Sequence, residues 1–321
     1  MRIKWGLSLF MLAFSASAAA QAFPTKPLRL INPYAAGGPA DLLGREVAKG
    51  LADVLGQPVV VENRPGGGTV IGAEAVVRSA PDGYTLLVST AASIIVAPAM
   101  ERTPRYDGQK DLVPVSMYAY VANLITAHPS VPAKNLQELV AYAKANPGKL
   151  TYGSAGNGSG PHLAGELFKS MAGVDLVHVP YKGAAPATID HISGQVQLAF
   201  LNTSAVLRHV QSGKLNAIAT TTLKRSAVLP NTPTAHELGL SGYDTGSWYG
   251  LHAPAGTPRA VIDTLYNATR KALDDRALVA RLTDTHGADA VLRSPDEFAA
   301  FIRGEHERLV PLVKRLNLKA D

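Results

Sequence analysis

Apolar positions along this chain switch repeatedly between two patterns. Short runs rich in β-branched residues alternate with stretches whose apolar residues recur every three to four positions. Residues 27–33 carry Leu28, Leu30 and Ile31 and predict a strand. Leu42, Leu43, Val47, Leu51, Val54 and Leu55 then share one face of a helix predicted over about 40–55. A short buried strand is expected at 59–61 and a helix over about 69–78. Pro81, Asp82 and Gly83 form a turn signal before a strand at 84–89. Strands alternating with helices predict an α/β fold with a mostly parallel sheet flanked by helices.

Residues 98–110 read as irregular. Residues 113–127 form one apolar stretch of strand composition, longer than a strand usually runs. It is expected to lead from one lobe into a second, with the crossover near Asn123. Beyond it the pattern predicts helix 136–145, strand 151–154, a helix from Pro161, strand 175–179 and helix 185–192. Strand 196–201, helix 204–211 and strand 215–220 complete this second α/β unit. Residues 248–253 read as a returning strand. Thr257 and Pro258 open a long helix as N-cap and next position, and helices follow at 274–285 and 295–316. Three helices in a row suit packing onto a sheet already laid down. The expected organisation is lobe 1 at 23–123 plus 247–321 and lobe 2 at 124–246. Two crossover segments would join them around a cleft that closes by hinge motion.

Two strand–turn–helix units stand out because their turns are built of small residues. One runs Tyr34-Ala35-Ala36-Gly37-Gly38-Pro39 and the other Ser154-Ala155-Gly156-Asn157-Gly158-Ser159-Gly160-Pro161. Proline suits the first helical position, and glycine leaves the helix-start amides uncovered. Each unit can therefore hold an anion on a helix N-terminus, or simply turn the chain. Loops 34–39, 89–93 and 153–160 all follow strands, where α/β sheets bind ligands. Thr90, Ser154 and Ser159 add hydroxyl donors. Asp41 either complements the helix start or reaches a ligand; His162 is either a polar first-turn residue or a site residue. Lys182 is the one cation in a site-like turn, and surface exposure is its alternative.

Composition narrows the classes. The 321 residues are 46% hydrophobic and 17% charged, with no cysteine, which excludes disulfides and thiolate chemistry. The first residues, with Arg2 and Lys4 before a short apolar run and small residues, predict a signal peptide over 1–22 cleaved after Ala20 or Ala22. An exported, periplasmic protein is expected. Without Arg2 and Lys4, 29 of the 31 basic residues remain against 25 acidic ones, a net +4. The basic residues are scattered, so nucleic acid is not an expected partner. No Gly-x-Ser-x-Gly, phosphate-loop or zinc-binding His pattern occurs, and the dinucleotide pattern begun at Gly156 fails at Pro161. No cofactor, metal or enzymatic activity is therefore expected. The alternative is a secreted serine hydrolase using Ser154 or Ser159 with His162.

Several segments together resemble one family. They include Pro33 through Asp41, Val61-Glu62-Asn63-Arg64-Pro65-Gly66 and Pro81-Asp82-Gly83-Tyr84. Ala145-Asn146-Pro147-Gly148 running into Ser154 through Ser159 is another, as are Pro180-Tyr181-Lys182-Gly183-Ala184 and Trp248 through Pro258. In this order, across nearly the whole chain, they are similar to the periplasmic receptors of tripartite tricarboxylate transporters, the Bug receptors. The resemblance implies a type II, two-lobed Venus-flytrap binding protein that delivers an organic acid to integral-membrane permease subunits, with a monomer expected. The acid can be a di- or tricarboxylate, an amino acid or an aromatic carboxylate. The resemblance also implies a carboxylate held between Tyr34, Ala35, Ala36, Gly37 and Gly38 on one side and Ser154, Ala155, Gly156, Ser159 and His162 on the other. Lys182, Gly183 and Ala184 would line the same cleft, as would Asn202. Many relatives carry an acidic residue before that asparagine; here Leu201 stands there, which points to a more apolar or less amine-like ligand.

Overall fold

The computed structural model describes residues 23–226 and 228–319; the signal peptide expected at 1–22 lies outside the described residues. The chain begins with β1 (Leu28–Asn32), α1 (Pro39–Leu55), β2 (Val59–Asn63), α2 (Val70–Val77) and β3 (Thr85–Ser89). A π-helical turn (Ala92–Val96) then runs into the short α3 (Ala97–Met100). Next come β4 (Leu112–Ala122), β5 (Leu124–Ala127), α4 (Leu136–Ala145), β6 (Thr151–Ser154) and α5 (Gly160–Ala172). They are followed by β7 (Val177–Pro180), α6 (Ala184–Ile192), β8 (Leu198–Ala199), α7 (Thr203–Gln211) and β9 (Asn216–Thr220). The chain closes with β10 (Gly246–Pro254), α8 (Arg259–Leu273), α9 (Arg276–Ala280), β11 (Asp289–Arg293) and α10 (Pro295–Arg315).

These strands form two sheets, ordered β11-β4-β10-β3-β1-β2 and β7-β6-β8-β5-β9. β1 pairs in parallel with β2 and β3, and β6 with β7 and β8, while β10 and β5 run antiparallel to their neighbours. Each sheet is covered on both faces. In the first, α1 and α8 bury Leu43, Val47, Leu51, Ile262 and Leu265 on one side. The π-turn, α2 and α10 bury Ile94, Ile95, Val76, Phe298 and Ile302 on the other. α4 and α5 cover one face of the second sheet with Leu139 and Phe168, and α6 and α7 the other with Ala187 and Val206.

The apolar run at 112–127 is split between the sheets at Asn123, the one residue separating β4 from β5. The chain returns to the first sheet through Thr245. One side chain ties the two crossings together. Asn123 N donates to Thr221 Oγ1 (3.1 Å), and that hydroxyl lies 2.6 Å from Thr245 O and 3.0 Å from Asn123 O. Thr245 N donates in turn to Thr221 O (2.8 Å). Thr203 Oγ1 to Ala122 O (3.0 Å) adds a further bond beside the same junction.

Several local expectations need correction. Residues 89–93 are not all loop: helical geometry starts at Ala91 and runs to Met100, because the apolar Ala92, Ile94, Ile95 and Val96 bury against α10 and β10. That also removes 98–100 from the segment read as irregular. Thr257 does not cap α8: its hydroxyl donates back to Pro254 O (2.8 Å), and Pro258 holds the N-cap position. β11 interrupts the three C-terminal helices, a short edge strand whose pairing with β4 is tertiary. The strand read at 196–201 pairs only at Leu198 and Ala199.

Replacing Thr221 with valine keeps the shape but strands Asn123 N and Thr245 O in a buried site. The expected loss is about 1–3 kcal/mol of stability, read from equilibrium urea unfolding. An unchanged midpoint would show that Thr221 does not hold the crossings.

Candidate ligand-binding site

The C-terminal ends of the strands of both sheets face one another, and there the helices begin. α1 starts at Pro39 behind Gly38, α5 at Gly160 behind Ser159, and α6 at Ala184 behind Gly183. The π-turn starts behind Ala91, and α7 behind Asn202. Residues from all five starts line one chamber with about 450 Å³ of empty space: Gly38 with Pro39 and Ala40, Ala91 with Ala92, Ser159 with Gly160 and Pro161, Ala184, and Asn202. Tyr34, Thr90, Ala155, Gly246, Ser247 and Tyr249 complete the wall. No lining residue is charged. Each helix start leaves amides without intrahelical partners and carries the positive end of its dipole, so the chamber is electropositive without a single cation.

The lining side chains hold one another rigid. Tyr34 OH and Thr90 Oγ1 lie 3.0 Å apart, and burial pushes the Tyr34 hydroxyl up to about 12, so it stays protonated. Tyr249 OH donates to Asn202 Oδ1 (2.9 Å), and Asn202 Nδ2 donates to Asn123 Oδ1 (2.8 Å), which anchors the wall to the crossover. Ser159 caps α5 by accepting from His162 N (3.3 Å).

A second, outer chamber of about 620 Å³ shares Tyr34, Ala155 and Ser159 with the first. Its other walls are Pro33, the turn Gly66 to Thr69, Gly156, Asn157, Pro180, Tyr181 and Lys182. Beside it the two halves touch through backbone. Ala35 N donates to Lys182 O (2.9 Å). A Cβ on Gly183 would stand 3.3 Å from Ala35 N, and Gly183 has φ +147.

Of the residues singled out in the sequence, Tyr34, Gly38, Thr90, Ala155, Ser159, Ala184 and Asn202 line the inner chamber; Gly156 and Lys182 line the outer one. Ala35 and Gly183 meet at the contact between the halves. Ala36 and Gly37 lie on the exposed rim. Asp41 lines neither chamber. Its carboxylate accepts from Gly37 N (2.9 Å) and Asn63 Nδ2 (3.0 Å) and pairs with Arg45 (2.9 Å), fixing Gly37 at φ +80. Burial pushes its carboxyl up, but the hydrogen bonds from Arg45, Gly37 and Asn63 outweigh this and hold it below the usual carboxylate range.

Ser154 and His162 also line neither chamber; they support the glycine turn from beneath. Ser154 Oγ lies 2.7 Å from His178 Nε2 and accepts from Gly156 N (3.1 Å). His162 Nδ1 accepts from Gly158 N (2.9 Å), and its ring stacks on His178 at 3.9 Å and 7°. Ser154 is fully buried, so the Ser–His contact is closed to substrate, and the histidine it meets is His178, not His162. Leu201 is in the core with Leu124, Ala187 and Val206 and lines neither chamber. The missing acidic residue therefore does not alter a lining side chain. Ser247, Tyr249 and the Gly66–Thr69 turn were not singled out as site residues. The first two sit in a buried strand, and the third in a loop whose glycine run was the only signal.

Burial holds both stacked histidines neutral, with His162 lowered to about 4 and His178 to about 3. The unfolded chain, with histidines at their ordinary value, takes up these protons first as pH falls. Their contribution is thus complete above pH 6.5 and is lost between 6.5 and about 3–4. Each should remove about 1–2 kcal/mol between pH 7.5 and 5.0, read from urea midpoints. His162→Asn should flatten that slope; an equally steep slope would place the protonation elsewhere.

The comparisons with known proteins agree with this geometry. Residues 43–318 match the sequence model of the tripartite tricarboxylate transporter family receptor, TctC. Protein BugT of Bordetella pertussis is 36% identical over 315 residues, covering 98% of this chain and 96% of that one. A solved structure described as a periplasmic transporter superposes with a TM-score of 0.89 at 40% identity, over 94% of this chain and 100% of that one. Rpa4515 of R. palustris, solved with adipate, gives 0.89 at 34% identity, over 92% and 99%. MatC of Rhodopseudomonas palustris, solved with malate, gives 0.86 at 32%, over 91% and 100%. The chain has the two-lobed α/β fold of periplasmic binding proteins and belongs to the TctC, or Bug, family of solute-binding receptors, which are not enzymes.

Proposed function

We propose that this protein captures a small organic carboxylate in the inner chamber and delivers it to a tripartite tricarboxylate-type permease in the membrane. The observation that carries this reading is the convergence of five helix starts on a chamber with no charged side chain. Main-chain amides hold a carboxylate without the cost of burying an arginine. The bound adipate and malate of the two relatives support the ligand class. No acidic side chain lines either chamber, so a ligand ammonium has no partner there. The lobes in this reading are 23–123 with 247–321 and 124–246, closing at Asn123 and Thr245 on a ligand held by Tyr34, Gly38, Thr90, Ala155, Ser159, Ala184 and Asn202. The protein works as a periplasmic monomer after cleavage behind Ala20 or Ala22.

A thermal-shift panel of carboxylates against neutral sugars tests the ligand class. An acid at a hundred times its Kd adds about 2.7 kcal/mol of stability; stabilisation by a sugar and by no acid would sink the reading. Growth of a receptor-deletion strain on the identified acid, with the permease intact, tests delivery: normal uptake would show that the receptor serves a sensor instead.

Closure itself can be tested at Gly183. A valine there needs a backbone angle that side chains rarely adopt and presses on Ala35. About 1–3 kcal/mol of strain confined to the closed state corresponds to a roughly five- to hundredfold weaker Kd, measured by calorimetry. Wild-type affinity in Gly183→Val would mean that the halves bind ligand without this contact.

A further inference from the structure

The glycine turn at 156–159 carries the one Asn-Gly pair of the chain, Asn157-Gly158. Gly156 O accepts from Ser159 N (3.1 Å), which places the pair at the corner of a tight turn with Gly158 at φ +72. Asparagine before glycine is prone to cyclise, because the next main-chain nitrogen reaches the side-chain carbonyl carbon and glycine has no Cβ to hinder it. Asn157 is half-buried and lines the outer chamber, so water reaches it. Gly158 is buried and is held in two ways. Its nitrogen donates to His162 Nδ1 (2.9 Å), within the same half. Its α-carbon is covered from the other half: a Cβ there would stand 2.8 Å from both Val96 Cγ1 and Met100 Cε. The Gly66–Thr69 turn of the first half also presses on the pair, since a Cβ on Gly68 would lie 3.1 Å from Asn157 O. The histidine bond travels with the turn when the halves part; the cover from Val96, Met100 and Gly68 does not.

We propose that Asn157 is a site of spontaneous deamidation, uncovered when the halves part, whose products weaken ligand capture. This rests on the reading that the halves close on a carboxylate, and adds to it a chemical fate for protein left open. Gly158 N attacks Asn157 Cγ. The new N–Cγ bond closes a succinimide ring, the Cγ–Nδ2 bond breaks, and the side-chain nitrogen leaves as ammonia with the proton from Gly158 N. Water then opens the ring at either carbonyl and gives aspartate or its isoaspartyl isomer. Either product sets a carboxylate on the wall of the outer chamber, beside the start of α5 that serves the anion. The isoaspartyl product also lengthens the main chain by one methylene and draws Gly158 N away from His162. In the closed protein the attacking nitrogen must displace Val96 and Met100 to turn toward Asn157 Cγ, so bound ligand preserves the amide.

Ageing the purified protein at mildly alkaline pH, alone and with adipate or malate, tests this, and calorimetry shows which acid is bound. The tryptic peptide Leu150–Lys169 contains no other asparagine and no glutamine, so its change of mass reports Asn157 alone. Conversion should proceed in the ligand-free protein and slow at least about tenfold under an acid at a hundred times its Kd, which leaves about a hundredth of the protein unliganded. Met100 lines neither chamber, so Met100→Ala thins the cover without altering a wall; it should raise conversion several-fold in the acid-saturated protein. Asn157→Asp should bind the acid roughly tenfold more weakly, from repulsion between like charges in one cleft. Ligand-free protein that keeps its amide while the urea-unfolded chain loses it overturns the site. Equal rates with and without bound acid overturn the gate, an unchanged rate in Met100→Ala overturns Met100 as its cover, and wild-type affinity in Asn157→Asp overturns the loss of capture. If neither acid binds, it is the carboxylate reading that fails, and conversion in the ligand-free protein still decides the site.

Discussion

A helix N-terminus can hold an anion only if nothing stands between its amides and the ligand. That constraint governs the sequence at all five helix starts around the inner chamber. Gly160 removes the side chain where a Cβ would stand 2.5 Å from Ser247 Oγ on the opposite wall, and Gly38 leaves the start of α1 bare beside Ala184. Pro39 and Pro161 enter where a missing N–H costs nothing. Alanine stands at the starts of the π-turn and α6, and Asn202 at that of α7. Charged residues are kept behind this surface, where they shape the turns: Asp41 draws in Gly37 N from the flank of α1. The histidine pair does the same for the glycine turn, with His162 accepting from Gly158 and His178 facing Ser154. Neutral imidazoles suit that position, because a charge there would compete with the chamber for the anion.

The crossover junction meets a different demand. In the proposed reading, two lobes that close on a ligand must be joined by strands that cannot slide. Asn123 is a single residue between β4 and β5, and Thr221 binds it from the second sheet while also binding Thr245 on the returning chain. Asn202, at the start of α7, reaches both Asn123 and Tyr249. The wall of the inner chamber and the junction thus share a hydrogen-bond network.

Much of this was legible in the sequence because its signals are local. Period-two and period-3.6 patterns gave most strands and helices, and Gly-Pro at 38–39 and 160–161 marked two of the helix starts. The features that were not legible depend on partners far along the chain. β11 is a strand only because β4 offers an edge, and the helix start at Ala91 follows from burial against α10 and β10. Asp41, Ser154 and His162 carry the residue types of a site at the spacing of a site. Only three-dimensional neighbours (Arg45 and Asn63 for the first, His178 for the other two) reveal them as supports.

In the proposed reading, the contacts between the halves set how the site captures and releases its ligand. Among the described residues the halves meet through Ala35 N to Lys182 O, through Tyr249 OH to Asn202 Oδ1, and through Leu163 of α5, which is buried with Ile94, Val96 and Trp248 of the first half. Burial of Leu163 favours contact between the halves, and the glycine and alanine approaches at Ala35 and Gly183 add little apolar area to it. A ligand shifts a two-state equilibrium only by its difference in affinity for the two states. In the proposed reading such a difference arises because α1 and the π-turn belong to one half while α5, α6 and α7 belong to the other. An anion in the open protein meets one set of helix starts and in the closed protein meets both. In the proposed reading the charge of the ligand thus adds to closure what the contact made by Leu163 does not supply.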